Sequence, residues 1–125
     1  MPLAIFDLDN TLISGDSDYL WGRFLIERGI VDGAYYEAEN DRFYQAYKEG
    51  VLDIYEFLRF SLRPLRDNEP DELLRLREIF MQERIEPIIP EASRQLIAKH
   101  REAGDMLIII TATNSFVTGP IAERF

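Results

Sequence analysis

The sequence predicts an α/β fold: an incomplete Rossmann-like parallel core that carries an inserted bundle of α-helices. Two short apolar runs, Leu3–Phe6 and Met106–Ile110, are typical of buried strands in a parallel sheet. Between them, from about Asp18 to Glu86, apolar residues recur at helical spacing. The predicted domains are therefore a core of residues 1–15 and 87–125 and a helical insertion of residues 16–86.

Four amphipathic helices with short links are predicted within the insertion, which together indicate a small bundle. Gly29 is placed to end the first helix and Gly50 the second. The third is expected to break at Pro64, because proline removes a helical hydrogen bond. Pro70 supplies a start signal for the fourth.

The region after the insertion is expected to return to the core. Pro87–Pro90 predicts a rigid extended joint, and a helix follows it as far as Ala103, with Gly104 as its cap. The second strand comes next, and a short helix is expected from about Phe116.

Composition and charge exclude several classes of partner. The 125 residues carry a formal net charge of −9, which argues against nucleic acid or an anionic membrane surface, since both bind clustered Lys and Arg. No apolar run is long enough to span a bilayer, and the N-terminus lacks the basic start of a secretion signal. The chain has no cysteine, which fits a cytoplasmic location.

Each predicted strand ends in a polar loop, the place where open α/β sheets bind ligands. Asp7 and Asp9 follow the first strand, and their i, i+2 spacing in extended backbone points them to one side. Two adjacent carboxylates need a shared cation, and Mg²⁺ prefers carboxylates together with phosphate oxygens. One carboxylate can then attack phosphorus while the other transfers a proton.

Thr111 ends the second strand, where its hydroxyl and the following backbone N–H groups can hold a phosphate oxygen. Both loops also have a simpler interpretation. An Asp-x-Asp pair can be a solvated turn or a helix cap, and a threonine at the end of a strand can merely cap the next helix. The strand before Asp7 and the Thr-Leu after Asn10 favour a site.

The two loops resemble the motifs of a known family. Phe6–Leu12, with the sequence FDLDNTL, resembles the first motif of the haloacid dehalogenase-like hydrolases. Ile109–Thr113, with the sequence IITAT, is similar to their second motif. A helical insertion directly after the first motif resembles the cap of the phosphoserine-phosphatase-like branch.

The resemblance implies specific roles for these residues. Asp7 would be the nucleophile that forms an aspartyl-phosphate, and Asp9 the general acid/base. The same two residues would hold Mg²⁺, Asp9 through its backbone carbonyl. The phosphate-binding residues that the resemblance implies are Asn10, Thr11, Thr111 and Ala112.

The resemblance also suggests candidate substrate contacts. Asp16 stands where phosphoserine phosphatases carry a glutamate, and the shorter acid puts serine specificity in question. Arg59 and Arg63 are candidates to meet a substrate carboxylate or phosphate from the cap, although a solvated helix face also explains both.

The implied function is a Mg²⁺-dependent phosphomonoester hydrolase for a small soluble phosphorylated metabolite. A phosphotransferase or phosphomutase of the same fold, or a non-catalytic binding fragment, remains an alternative. The third-motif lysine and fourth-motif acids of the family have no counterpart after Thr113. The chain is therefore expected to be the N-terminal part of a protein, inactive alone, with the missing C-terminal part as its partner.

Overall fold

The computed structural model of the chain describes residues 2–125. Its strands and α-helices follow one another in this order: β1 (Leu3–Asp7), α1 (Ser17–Glu27), α2 (Gly33–Lys48), α3 (Ile54–Asp67), α4 (Pro70–Phe80), α5 (Glu91–Glu102), β2 (Met106–Ile110) and α6 (Ser115–Ala122). Both predicted strands and the six predicted helices are present. No helix within residues 2–125 is both long and apolar enough to cross a membrane.

The chain forms two compact units. The core unit consists of Met1–Gly22 and Arg77–Phe125, and the helical unit consists of Arg23–Leu76. The boundaries between them fall within α1 and α4. The predicted limits between the core and the helical insertion, at residues 15/16 and 86/87, stay a prediction.

The two strands pair in parallel, as predicted, and their register places Leu3 opposite Met106 and Asp7 opposite Ile110. Parallel strands point their carboxyl ends to the same edge of the sheet. The loops that follow Asp7 and Ile110 therefore leave the sheet side by side.

The prediction that both strands are buried is wrong for one face of the sheet. Leu3 and Ile5 in β1 are 53% and 55% exposed, and Ile110 in β2 is 58% exposed. On the other face Phe6 is half-buried, and its ring meets that of His100 in α5 edge-on, with centroids 5.6 Å apart. A continuous apolar run predicts a strand but does not show whether a layer covers each of its faces.

Aromatic contacts organise the interior of the core unit. Trp21 packs edge-on against Phe80, with ring centroids 5.1 Å apart, and lies 5.8 Å from the ring of Phe116 in α6. Several further apolar side chains of this unit are fully buried, namely Leu8, Leu12, Ile13, Met81, Ile85, Val117 and Ile121. The loop after β1 is thus anchored by its own leucines.

The helical unit is organised around Phe60, which is buried. The centroid of its ring lies 4.9 Å from that of Tyr36 and 5.3 Å from that of Phe43. The predicted break at Pro64 is wrong, because α3 continues through it to Asp67. Pro64 is buried, and its carbonyl accepts a hydrogen bond from the Asn68 side chain at 2.7 Å. Packing thus overrides the low helix propensity of proline.

The segment between α4 and α5 also differs from its prediction. Glu86–Ile88 forms one turn of 3-10 helix, so only Ile89 and Pro90 of the predicted extended joint have extended backbone. Pro87 lies in the first turn, where its missing N–H has no helical partner to lose. The turn places the Ile88 carbonyl to accept a hydrogen bond from Ser14 N–H at 2.8 Å, which fixes the loop after β1.

Candidate active site

Asp7 lies at the carboxyl end of β1, and a wide turn over Leu8–Leu12 follows it. Its Oδ1 accepts the Leu8 N–H at 2.9 Å, and its Oδ2 accepts the Thr11 hydroxyl at 3.4 Å. The turn reverses at Asn10, whose φ of 57° lies in the left-handed region that asparagine tolerates well. Asp7 is therefore an exposed carboxylate held by its own loop.

Asp9 is half-buried, and its carboxylate accepts hydrogen bonds from three residues in two other parts of the chain. Its Oδ1 accepts the N–H and the hydroxyl of Ser17, at 2.8 and 2.6 Å. Its Oδ2 accepts the hydroxyls of Thr111 and Thr113, at 3.3 and 3.0 Å. One carboxylate thus joins the loop after β1, the start of α1 and the loop after β2.

The loop after β2 is ordered by its own hydroxyl groups. Thr111 Oγ1 accepts the Thr113 N–H at 3.1 Å while it donates to Asp9. Asn114 caps α6 by accepting the Val117 N–H at 3.1 Å. Ala112 is exposed between them. The two threonines are thereby held just before α6, and their hydroxyls reach Asp9 in the first loop.

Negative charge accumulates where α1 begins. Burial raises the pKa of the Asp18 carboxyl to about 6, and the nearby charges of Asp16 and Asp9 contribute to the same direction. Asp16 Oδ1 accepts the N–H groups of Asp18 and Tyr19, at 2.9 and 3.2 Å. Asp16 therefore caps α1, and its predicted substrate contact stays a prediction.

The other predicted site residues lie in different surroundings. The Asn10 side chain is exposed and its N–H donates to the Gly15 carbonyl at 2.8 Å, so that N–H is already used within the loop. Arg59 and Arg63 both belong to α3 of the helical unit, and the four hydrogen bonds to Asp9 described above come from other residues. Arg63 lines a pocket of about 190 Å³ and its Nη1 lies 3.4 Å from the Tyr35 hydroxyl.

Sequence reasoning assigned no role to two of the groups that hold Asp9. Ser17 is completely buried and supplies two of the four hydrogen bonds. Thr113 supplies another, and its position two residues after Thr111 is the only sequence signal for it. Nothing in the sequence around Ser17 separates it from an ordinary residue at a helix start.

The oxygen atoms at Asp7 and Asp9 partly fit the ligands that a magnesium ion needs. Mg²⁺ takes oxygen ligands, often one or two carboxylates with several waters, and the exposed carboxylate of Asp7 is such a ligand. The Asp9 carboxylate is already engaged by hydroxyl and N–H donors, so its backbone carbonyl is the better candidate. Residues 2–125 contain no group of three or more His, Cys, Asp or Glu side chains placed to hold a metal.

Comparison with known proteins identifies the family of the chain. The sequence model of the haloacid dehalogenase-like hydrolases matches residues 4–125. A histidinol-phosphatase of Neisseria meningitidis serogroup C (strain 8013) is 46% identical over 98% of the chain and 55% of its own length. A phosphoserine phosphatase of Mycobacterium tuberculosis is 31% identical over 97% of the chain and 40% of its own length.

A solved structure is also similar. The crystal structure of a protein of unknown function from Bordetella pertussis Tohama I superposes with a TM-score of 0.89 at 40% identity, covering 98% of the chain and 56% of that protein. The chain thus spans about half the length of the relatives it matches. A family match over nearly the whole sequence, together with paired loops at the ends of β1 and β2, shows that the chain belongs to the haloacid dehalogenase-like hydrolases.

Proposed function

We propose that the chain is the nucleophile-bearing part of a Mg²⁺-dependent phosphomonoesterase that acts through an aspartyl-phosphate on Asp7. The observation that carries the proposal is the shared Asp9 carboxylate, which joins the loops after both strands and leaves Asp7 exposed beside them. The names of the Neisseria and Mycobacterium relatives, which are phosphatases, support the reaction class.

In the proposed first step, an Asp7 carboxylate oxygen attacks phosphorus and the bond between phosphorus and the alcohol oxygen breaks. Asp9 gives a proton to the departing alkoxide, which leaves as the alcohol. In the second step, Asp9 takes a proton from water, the resulting hydroxide attacks the aspartyl-phosphate, and inorganic phosphate leaves. Asp7 returns to its carboxylate form.

Asp9 must give up one of its hydrogen-bond partners before it can transfer a proton to the substrate. Both of its carboxylate oxygens accept hydrogen bonds in the structure, so a substrate oxygen has to replace Thr111 or Thr113. Thr111 Oγ1, once released, is free to donate to a phosphoryl oxygen beside the N–H of Ala112. The same hydroxyl thereby orients the acid/base before binding and holds the phosphoryl group after it.

Thr11 and Asn10 shape the loop in this proposal. The Thr11 hydroxyl lies near Asp7 Oδ2 and can turn to a phosphoryl oxygen, while Asn10 provides the reversal that brings it there. Mg²⁺, when bound at Asp7, would neutralise charge on the phosphoryl oxygens during attack. The substrate would be a small soluble phosphate ester, and Asp16, Arg59 and Arg63 remain proposed contacts.

The test is phosphate release by two proteins. One is the 125-residue chain alone; the other, the fusion protein, is this chain joined at Phe125 to the part of the Neisseria relative outside the match. With Mg²⁺ and histidinol phosphate or phosphoserine, the fusion protein should release phosphate and the chain alone very little. No release by a folded fusion protein from any phosphate ester in a screen would contradict the proposal.

A further inference from the structure

The two oxygens of the Asp9 carboxylate have different partners. Oδ1 accepts only from Ser17, the first residue of α1, whose hydroxyl and N–H lie at 2.6 and 2.8 Å. Oδ2 accepts the hydroxyls of Thr111 and Thr113, at 3.3 and 3.0 Å. One oxygen therefore faces the start of α1, and the other faces the loop after β2.

The Ser17 donors are held in place by the loop that precedes them. The Asn10 N–H donates to the Gly15 carbonyl at 2.8 Å, which closes this loop on itself. The Ser14 N–H donates to the Ile88 carbonyl at the same distance, which ties the loop to the segment before α5. Ser17 itself is completely buried, so its hydroxyl has little room to take another direction. Its two donors thus form a fixed support for the carboxylate.

The two sides of the carboxylate also differ in exposure. Ser17 is completely buried, whereas Thr111 and Thr113 are half-buried and the Ala112 between them is exposed. A group that arrives from solvent therefore meets Oδ2 rather than Oδ1.

The N–H of Ser17 adds a chemical difference between the two oxygens. A backbone N–H donates and does not accept, so a proton placed on Oδ1 would face the hydrogen of the Ser17 N–H across 2.8 Å. The hydroxyl groups beside Oδ2 can turn to accept instead of donating. When the carboxyl is protonated, its proton therefore belongs on Oδ2.

We propose that Ser17 is a positioning residue for Asp9, which holds Oδ1 so that Oδ2 is the oxygen that exchanges a proton with the substrate. In the first step the Oδ2–H bond breaks and the proton moves to the departing alkoxide oxygen, while a bond from Asp7 to phosphorus replaces the bond to the alcohol. In the second step Oδ2 takes a proton from the attacking water. Ser17 touches neither the substrate nor the reacting atoms. The inference rests on the proposed function.

Two phosphate esters that differ in their need for a proton test this role in the fusion protein. One is the alkyl ester it hydrolyses, histidinol phosphate or phosphoserine; the other is 4-nitrophenyl phosphate, whose nitrophenolate leaves without a proton. The quantity measured is kcat/KM, because it reports the steps up to departure of the alcohol. Ser93→Ala is the matched control, since Ser93 is also buried near the start of a helix and supplies none of the four hydrogen bonds to Asp9.

Ser17→Ala should lower kcat/KM for the alkyl ester at least about tenfold and change it less than about twofold for 4-nitrophenyl phosphate. Ser93→Ala should change neither. Ser17→Thr keeps the hydroxyl, so it should keep the ratio of the two kcat/KM values near that of the unaltered protein. Equal losses on both esters for Ser17→Ala would indicate a merely structural role and overturn the inference, as would a ratio that falls as far in Ser17→Thr.

Asp9→Asn separates this inference from the proposed function. It should show the same preference for the nitrophenyl ester, with a loss of about 100-fold or more on the alkyl ester. A selective loss for Asp9→Asn with none for Ser17→Ala would overturn the role of Ser17 alone. Equal losses on both esters for Asp9→Asn would contradict the proposed acid/base role of Asp9, and the inference would fall with it.

A second measurement needs no activity and uses only the 125-residue chain. If Ser17 holds the carboxylate toward Thr113, the destabilisation caused by Thr113→Val in urea should shrink by about half or more in a Ser17→Ala background. It should stay unchanged in a Ser93→Ala background. An unchanged loss in the Ser17→Ala background would show that Oδ2 keeps its place without the serine hydroxyl, and this would overturn the inference.

Discussion

Thr113 Oγ1 donates a hydrogen bond of 3.0 Å to Oδ2 of Asp9, a residue 104 positions earlier in the chain. Thr111 donates to the same oxygen, and Ser17 donates to the other. The loops after both strands are thereby tied through one carboxylate, which is how two distant motifs become one candidate site before any ligand binds.

The threonine contact predicts a measurable loss of stability. Thr113→Val keeps the shape of the side chain but removes the donor, and hydrogen bonds to charged groups contribute about 1.5–3 kcal/mol. We expect the free energy of unfolding in urea to fall by about 1–2 kcal/mol. Thr113→Ser keeps the hydroxyl and should lose less. Equal losses in both variants would show that the hydroxyl contributes nothing and that packing accounts for the effect.

Asp18 predicts a specific pH dependence. Burial raises its pKa in the folded state to about 6, with Asp16 and Asp9 adding to the effect, so the folded protein binds this proton more tightly than the unfolded chain. Stability should therefore fall as pH rises from about 4 to about 6. Asp18→Asn removes a charge that is unfavourable at pH 7, so it should raise stability there and flatten this fall.

The control for Asp18 is Asp41→Asn, which removes the same charge from an exposed position in α2. Both proteins are unfolded in urea across that pH range with a chelator present. An Asp41→Asn variant that reproduced the effect would assign it to net charge, and an unchanged pH profile for Asp18→Asn would contradict the account of the local cluster.

Two glycines predict opposite effects of the same substitution. Gly104 has a φ of +78° at the end of α5, where the Asp105 N–H donates to the His100 carbonyl at 3.1 Å. Alanine there is strained and should cost about 1 kcal/mol. Gly119 lies inside α6 with open space around it, so Gly119→Ala should stabilise the chain by up to about 1 kcal/mol. Urea unfolding of both variants checks the signs, and two changes of the same sign would be inconsistent with this backbone argument.

The stability of the helical unit should depend on the aromatic side chains around Phe60. Phe60 is 6% exposed and contacts the rings of Tyr36 and Phe43, so Phe60→Ala should destabilise by about 3–5 kcal/mol through lost burial and a cavity. Tyr55 on the same helix is 71% exposed, so Tyr55→Ala should change Tm little. Comparable falls in Tm for both variants would mean that Phe60 does not organise this unit.

Much of the fold could be predicted because local patterns agreed with it. The end of α1 followed from Gly29, whose φ is +71°, and the parallel strands followed from two apolar runs. Pro64 was predicted wrongly because propensity is local, whereas burial of that ring is a tertiary property. The exposure of Ile5 was not predictable for the same reason, since apolar character does not specify which neighbours are present.

The candidate site could likewise be predicted only in part from local sequence patterns. Asp7 and Thr111 could be named as candidates because each lies at the end of a predicted strand, and parallel strands bring their carboxyl ends together. Ser17 was missed because its hydrogen bonds to Asp9 depend on the turn at Asn10, which brings the start of α1 back to Asp9. A sequence pattern marks which side chains stand near a sheet edge but does not give the hydrogen bonds among them.

Mass spectrometry of the acid-quenched reaction tests the central claim most directly. The fusion protein is mixed with Mg²⁺ and a phosphate ester that it hydrolyses, quenched within the turnover time, and digested. We expect the phosphoryl group on the peptide that contains Asp7, and its absence from Asp7→Asn, which should lose phosphate release by a factor on the order of 1,000 or more. A phosphoryl group on another residue, or native release by Asp7→Asn, would contradict the assignment of Asp7 as the nucleophile.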